Sequence, residues 1–292
     1  MDIAFKLAGR NIRVFLRDKV SVFFSLLSMF IIIGLYALFL GDINVSNIKD
    51  MAGDVPGVRF MVDSWIMAGI LVVNSVTVVL GMFGTMIEDE QKKRLNGFLI
   101  APVKRFSIVS GYVLAAWGVG MIINILAFAL AEAYILIGGG TLLSLLSILK
   151  VIGLCMLNVF SASGIMFFII SFIHTNNAFA TLSTIVGTII GFLTGIYIPM
   201  GVLPEAVQNI VKFVPATYGA ALMRQVFMED PVAKVFAGAP AQVVEHYYST
   251  FGVKISAFGQ EMPALAMLAI IAGAGIVFFL LSVLVMKKRK QK

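Results

Sequence analysis

The sequence predicts an all-α membrane protein: six transmembrane helices, a preceding amphipathic helix, and both termini on the cytoplasmic side. Three observations carry this. The 292 residues are 60% hydrophobic and only 13% charged, whereas soluble domains are about half apolar and about a quarter charged. Uncharged apolar runs of about 20 residues, the length that crosses a bilayer, recur along the chain. Basic residues, finally, gather in three places that six crossings put on one side.

Residues 1–19 precede any span. Lys6, Arg10, Arg13 and Arg17 are spaced four, three and four apart, so a helix lines them along one face. This reads as an amphipathic helix on an anionic leaflet, or as a basic flank that sets orientation. No small-residue cleavage site follows the first apolar run, so that run is expected to stay as a span. Spans are expected at 20–40 and 64–87, separated by a polar stretch with Asp42, Asp50, Asp54, Pro56 and Asp63. A third runs over 106–137 and ends at Gly138-Gly139-Gly140. Residues 151–204 contain no Asp, Glu, Lys or Arg over 54 positions, too long for one helix and right for two. His174-Thr175-Asn176-Asn177 marks the turn, giving spans 142–173 and 178–198. Residues 199–261 form a long outer region, and span 262–286 runs into a basic tail. The whole chain, 1–292, reads as a single transmembrane domain.

Charge fixes the orientation. The N-terminal stretch, residues 88–105 and the tail hold fifteen Lys/Arg, against six (Lys49, Arg59, Lys212, Arg224, Lys234 and Lys254) on the other side. By the positive-inside rule the fifteen are cytoplasmic. The net charge of +7 is therefore membrane topology, and no nucleic-acid partner is expected. Residues 88–105 stand out: eight charges in eighteen positions, clamped between two spans. Such a segment stays at the membrane face, where a soluble partner can grip it. Lys92, Lys93 and Arg94 could rest on anionic lipid, while Leu95, Phe98 and Leu99, at helical spacing, suit a protein groove.

Several chemistries lack their residues. There is no G-x-x-x-x-G-K-[ST] phosphate loop. His174 and His246 fall on opposite membrane faces, so they share no metal or triad, and Cys155 is the only cysteine. No acidic relay, internal repeat or mid-span proline marks an ion-coupled carrier. Within the spans, Gly187, Gly191 and Gly195 recur every four residues, the period at which helices approach closely, inside one subunit or across a homodimer seam. Glu132 and Lys150 are full charges in predicted spans, each costing about 2.5–3.5 kcal/mol on insertion scales. They are expected to pair across the hairpin of spans three and four; a snorkelling Lys150 is the alternative. Asn74, Asn124, Asn158 and Ser161, among other polar residues, either join helices or line a path for an amphiphile. Residues 198–228 read as two short amphipathic helices, separated by Pro215, that dip into the outer leaflet and return.

Three motifs in sequence carry a resemblance. They are Leu99-Ile100-Ala101-Pro102-Val103 closing the charged stretch, Tyr197-Ile198-Pro199 with Leu203-Pro204 after span five, and Val214-Pro215-Ala216-Thr217-Tyr218 followed by Arg224. With the N-terminal helix they make the chain resemble the ABC-2 type permeases, the six-helix membrane subunits of ATP-driven exporters, near the drug- or antibiotic-resistance subgroup. Many members carry Gly-Thr and then Glu where this chain has Lys93-Arg94 and Asn96, and residues 229–261 match nothing familiar. The resemblance implies a non-catalytic subunit that binds no cofactor, with ATP and Mg on a separate ATPase. It also implies a second permease copy, identical or paralogous, in a bacterial or archaeal cytoplasmic membrane. It assigns Glu88, Glu90, Arg94, Leu95, Phe98, Leu99 and Pro102 to a coupling helix docked in the ATPase. Pro199, Leu203, Pro204, Pro215, Tyr218 and Arg224 fall in an outer gate. The spans lack the aromatic and charged ladder that tracks a glycan, so a hydrophobic or amphiphilic cargo is favoured over a polysaccharide. An ion-coupled carrier or a membrane-embedded enzyme is the alternative.

Overall fold

The computed structural model describes residues 2–36, 38, 41–52, 55–94, 97, 100, 103–257 and 260–288. The fold is all-α. In chain order come α1 (Asp2–Arg17), α2 (Lys19–Leu35), α3 (Gly41–Ala52), α4 (Val58–Gln91), α5 (Arg105–Ile137), α6 (Leu145–Ile170) and α7 (Asn176–Leu193). A 3-10 turn at Met200–Val202 leads to α8 (Glu205–Val211), α9 (Pro215–Phe227), α10 (Glu229–Val235) and α11 (Ala241–Thr250). A two-residue antiparallel hairpin (β1, Ser256–Ala257; β2, Gln260–Glu261) precedes α12 (Ala264–Lys288). Five of the described helices are long and apolar enough to cross a membrane, and the bent pair α1–α2 brings the number to six.

The helix α4 is the centre of the bundle. Its 34 residues extend about 51 Å at 1.5 Å per residue, well beyond the roughly 30 Å hydrocarbon layer. Its charged end, Glu88–Gln91, therefore projects past the apolar slab. It is buried on nearly every side and packs against α2, α3, α5, α6, α7, α9 and α10.

The first two helices meet at 78°. The bend is fixed by Asp18, whose carboxylate accepts from the N–H groups of Val20 (3.1 Å) and Ser21 (3.2 Å) and caps α2. Ala4, Leu7, Ala8, Asn11 and Phe15 form the buried stripe of α1, which lies along α5. Lys6, Arg13 and Arg17 are exposed, but Arg10 turns inward, so the four basic residues do not share one lipid-facing role. The polar stretch after span one holds a helix, α3, that its composition did not announce. A close backbone contact joins α6 to α12, where a Cβ on Gly164 would lie 2.5 Å from the Gly275 carbonyl oxygen. Lipid offers no hydrophobic drive for association, so contacts of this kind hold helices together.

Candidate functional site

At the charged end of α4 the side chains converge on Asp89, which is 2% exposed. Arg10 of α1 donates from Nη2 to Oδ1 at 2.7 Å and from Nη1 to Oδ2. Tyr112 of α5 donates its hydroxyl to Oδ2 at 2.8 Å. Arg94 Nη1 lies 3.8 Å from Oδ1. A buried carboxylate is tolerable only with such company, and here the company comes from α1, α5 and the stretch after α4.

The next residue grips a different element. Glu90 Oε1 is 2.8 Å from His174 Nδ1, and Gln91 Nε2 donates to the His174 carbonyl at 2.6 Å. His174 sits in the turn between α6 and α7, so this turn is bound to the end of α4. Glu88 pairs with Lys92 one turn along. Lys93, with φ 57°, then ends α4 in the left-handed conformation that usually falls to Gly or Asn. Of the expected coupling residues, Glu88 and Arg94 are about half-exposed while pairing with Lys92 and Asp89, and Glu90 is engaged with His174; Leu95, Phe98, Leu99 and Pro102 lie outside the described residues. Asp89 and Tyr112 did not stand out in the sequence, and Arg10 was read only as part of the basic face of the first helix. The available signal was the 4-7-8-11-15 stripe of α1, which leaves Arg10 at the margin of its buried face.

At the opposite end, Thr217 and Tyr218 work as a staple. Thr217 Oγ1 lies within hydrogen-bond distance of the carbonyls of Leu193 (2.8 Å) and Val211 (2.9 Å), between which its one proton is shared, and the Tyr218 hydroxyl donates to that of Lys212 (2.6 Å). The ends of α7 and α8 are thereby tied to the start of α9, where Pro215 takes the first helical position. Pro204 precedes α8, and Pro199 and Leu203 flank the 3-10 turn. Arg224 is fully buried in α9. Its guanidinium lies 4.7 Å above the Trp65 ring and donates from Nη2 to the Thr194 carbonyl at 2.8 Å. Among the described residues no carboxylate pairs with it. Trp65 Nε1 donates to Phe251 at 2.8 Å, Tyr36 to Ile196, and Tyr247 stacks on Phe251 at 4.5 Å. The helix α9 is thus packed against α4, α6 and α12.

The three evenly spaced glycines do three different things. A Cβ at Gly187 would meet nothing within 4 Å, one at Gly191 would strike the Tyr197 ring, and Gly195 makes the turn after α7 with φ +70°. Glu132 and Lys150 do not pair. Glu132 Oε2 accepts from the Leu143 N–H at 3.2 Å, and Lys150 is exposed beside a pocket that it lines with Glu229 and Asp230. The hairpin supplies the glutamate with a backbone donor, which leaves the lysine free to reach outward.

A shared pattern extends beyond these local contacts. Residues 4–228 match the family model of the ABC-2 type transporter, a match that ends where α9 gives way to α10. No individual curated protein matches the chain at a significant level. Because the matched stretch spans well over half of a multi-pass helical bundle, the chain belongs to the ABC-2 type transporter family.

Proposed function

We propose that this permease is the membrane subunit of an exporter whose ATP is hydrolysed by a separate nucleotide-binding subunit. The ATPase docks on residues 88–101 from the cytoplasmic side, and ATP and Mg stay on that partner. Members of this permease family have no cofactor of their own. Two permease copies, identical or paralogous, complete the assembly in a bacterial or archaeal cytoplasmic membrane, with both termini inside. The cargo is hydrophobic or amphiphilic, and the region around Pro199, Leu203, Pro204, Pro215, Tyr218 and Arg224 is the outer gate.

One observation supports this reading above the rest. Two consecutive residues at the end of α4, Asp89 and Glu90, hold α1 through Arg10 and the α6–α7 turn through His174. A push on the stretch that follows is then shared by α1, α4, α5 and the base of α7, since these contacts tie the end of α4 to each of them: a part-buried ion pair at Asp89 and solvent-facing bonds to His174. Co-purification with the ATPase tests it, using wild type and Arg94→Gln, Leu95→Ala and Phe98→Ala. The substitutions are expected to reduce ATPase recovery while the permease stays folded; undiminished recovery with all three overturns the docking assignment.

A further inference from the structure

Residues 241–255, helix α11 and the turn after it, lie beyond the stretch that matches the family model. They are nevertheless bound to the outer end of the bundle. The turn is shaped by its own backbone: the Val253 N–H bonds the Tyr248 carbonyl at 2.9 Å, and Gly252, at φ +63°, supplies the left-handed residue that ends α11. Three elements of the bundle then meet it. From α4, Trp65 Nε1 donates to the Phe251 carbonyl at 2.8 Å. From α9, Gln225 Nε2 donates to the Val253 carbonyl at 2.9 Å. From the 3-10 turn after α7, Gly201 approaches so closely that a Cβ on it would lie 2.5 Å from Thr250 Cα.

This closed arrangement works against itself. Tyr247 is fully buried and stacks on Phe251, whose ring meets Trp65 edge-on at 5.5 Å, but the Tyr247 hydroxyl bonds nothing. Arg224, on the other side of Trp65, keeps its Nε buried and without a partner. Water would satisfy both groups, so burying them opposes the closed form. Ring contacts and two side-chain hydrogen bonds hold the turn down against that opposition. A segment held in this way can release while the helices beneath it stay folded.

We propose that residues 241–255 are a latch: they clasp α4, the 3-10 turn and α9 together, hold the outer gate shut, and let go when it opens. The gating role rests on the permease reading; the latch as a separately releasing unit does not.

The test follows one buried position on the latch. Val253, 3% exposed, is replaced by Val253→Cys in a full-length Cys155→Ala chain, and its labelling by a membrane-impermeant maleimide is timed in nanodiscs. Trp65→Phe keeps a ring against Phe251 but removes the N–H, and is expected to speed labelling about fivefold, the worth of one hydrogen bond. Gly201→Ala wedges the 3-10 turn away from α11 and is expected to speed it by at least about fivefold. The same two substitutions, made in a chain with Val253 and the native Cys155, are expected to leave Cys155 as unreactive as before. Unchanged labelling of Val253→Cys in either variant overturns the latch. So does Cys155 becoming reactive in step, because the segment would then hold the fold and not a gate. In the complex with the ATPase, trapped ATP is expected to speed Val253→Cys labelling in the chain with Trp65 and Gly201 intact. If trapped ATP moves α8 relative to the α5–α6 turn but leaves that labelling as it was, the latch fails and the permease reading stands. If no ATPase binds, the permease reading fails, and the two variants in nanodiscs still judge the latch.

Discussion

Asp89→Asn keeps the shape of the side chain and removes the charge that Arg10, Tyr112 and Arg94 surround. Breaking a buried ion pair from one side costs about 3–5 kcal/mol, and a hydrogen bond to a charged group contributes about 1.5–3 kcal/mol. The Arg10 side chain is 31% exposed, so its guanidinium recovers part of its hydration, and Tyr112 can still donate to the amide oxygen. The expected loss is therefore at the low end, about 2–3 kcal/mol. For a chain of this size that lowers the unfolding midpoint by roughly 4–12 °C. The protein carries its own reporter: Cys155 is the sole cysteine and is buried in α6, so a thiol-reactive fluorophore reads unfolding directly. Combining Arg10→Gln with Asp89→Asn should add little to the single change, because the pair is already broken. A midpoint shift under about 2 °C, or full additivity of the two substitutions, would show that Asp89 does not organise this end of the bundle.

The same assay reads three further substitutions. Lys93→Gly relieves about 1–2 kcal/mol of left-handed strain against an entropy cost of about 0.5–1 kcal/mol, so the midpoint should hold or rise slightly; a clear fall contradicts the strained cap. Gly191→Ala should cost about 1–3 kcal/mol by overpacking against Tyr197, whereas Gly187→Ala should be neutral in a single chain; equal effects would contradict the division of labour along α7. Arg224→Lys should cost about 1–2 kcal/mol, since an ammonium cannot reproduce both the stack on Trp65 and the planar donor fork; an unchanged midpoint would remove Arg224 from the outer cap.

The spans were legible because charge is expensive in lipid: the uncharged stretch 151–204 and the eight charges of 88–105 mark inside and outside without any tertiary information. The Pro215–Tyr218 motif was legible as a motif, yet its work is done by hydroxyl bonds to Leu193, Val211 and Lys212, which spacing does not reveal. Asp89 was hidden among charges that read as solvated, and its partner Arg10 lies 79 positions away. Such a pair leaves no local period. The glycines show the limit of spacing: within this single chain one repeat of four residues covers an open face at Gly187, a ring contact at Gly191 and a turn at Gly195. Glu132 found a backbone N–H where only a side-chain partner had been considered, because composition does not show where a hairpin's own donors point.

The central claim is that force applied to residues 88–101 reaches the outer gate through α4, α1 and α7. Spin labels at Val207→Cys on α8 and Leu142→Cys on the α5–α6 turn, with Cys155→Ala removing the native thiol, test it most directly. Distances are measured in the complex with its ATPase, with and without trapped ATP. The account predicts that trapping ATP shifts the distance distribution in wild type and that Asp89→Asn blunts the shift while the ATPase remains bound. Identical distributions in the two nucleotide states, with the ATPase bound throughout, would contradict it.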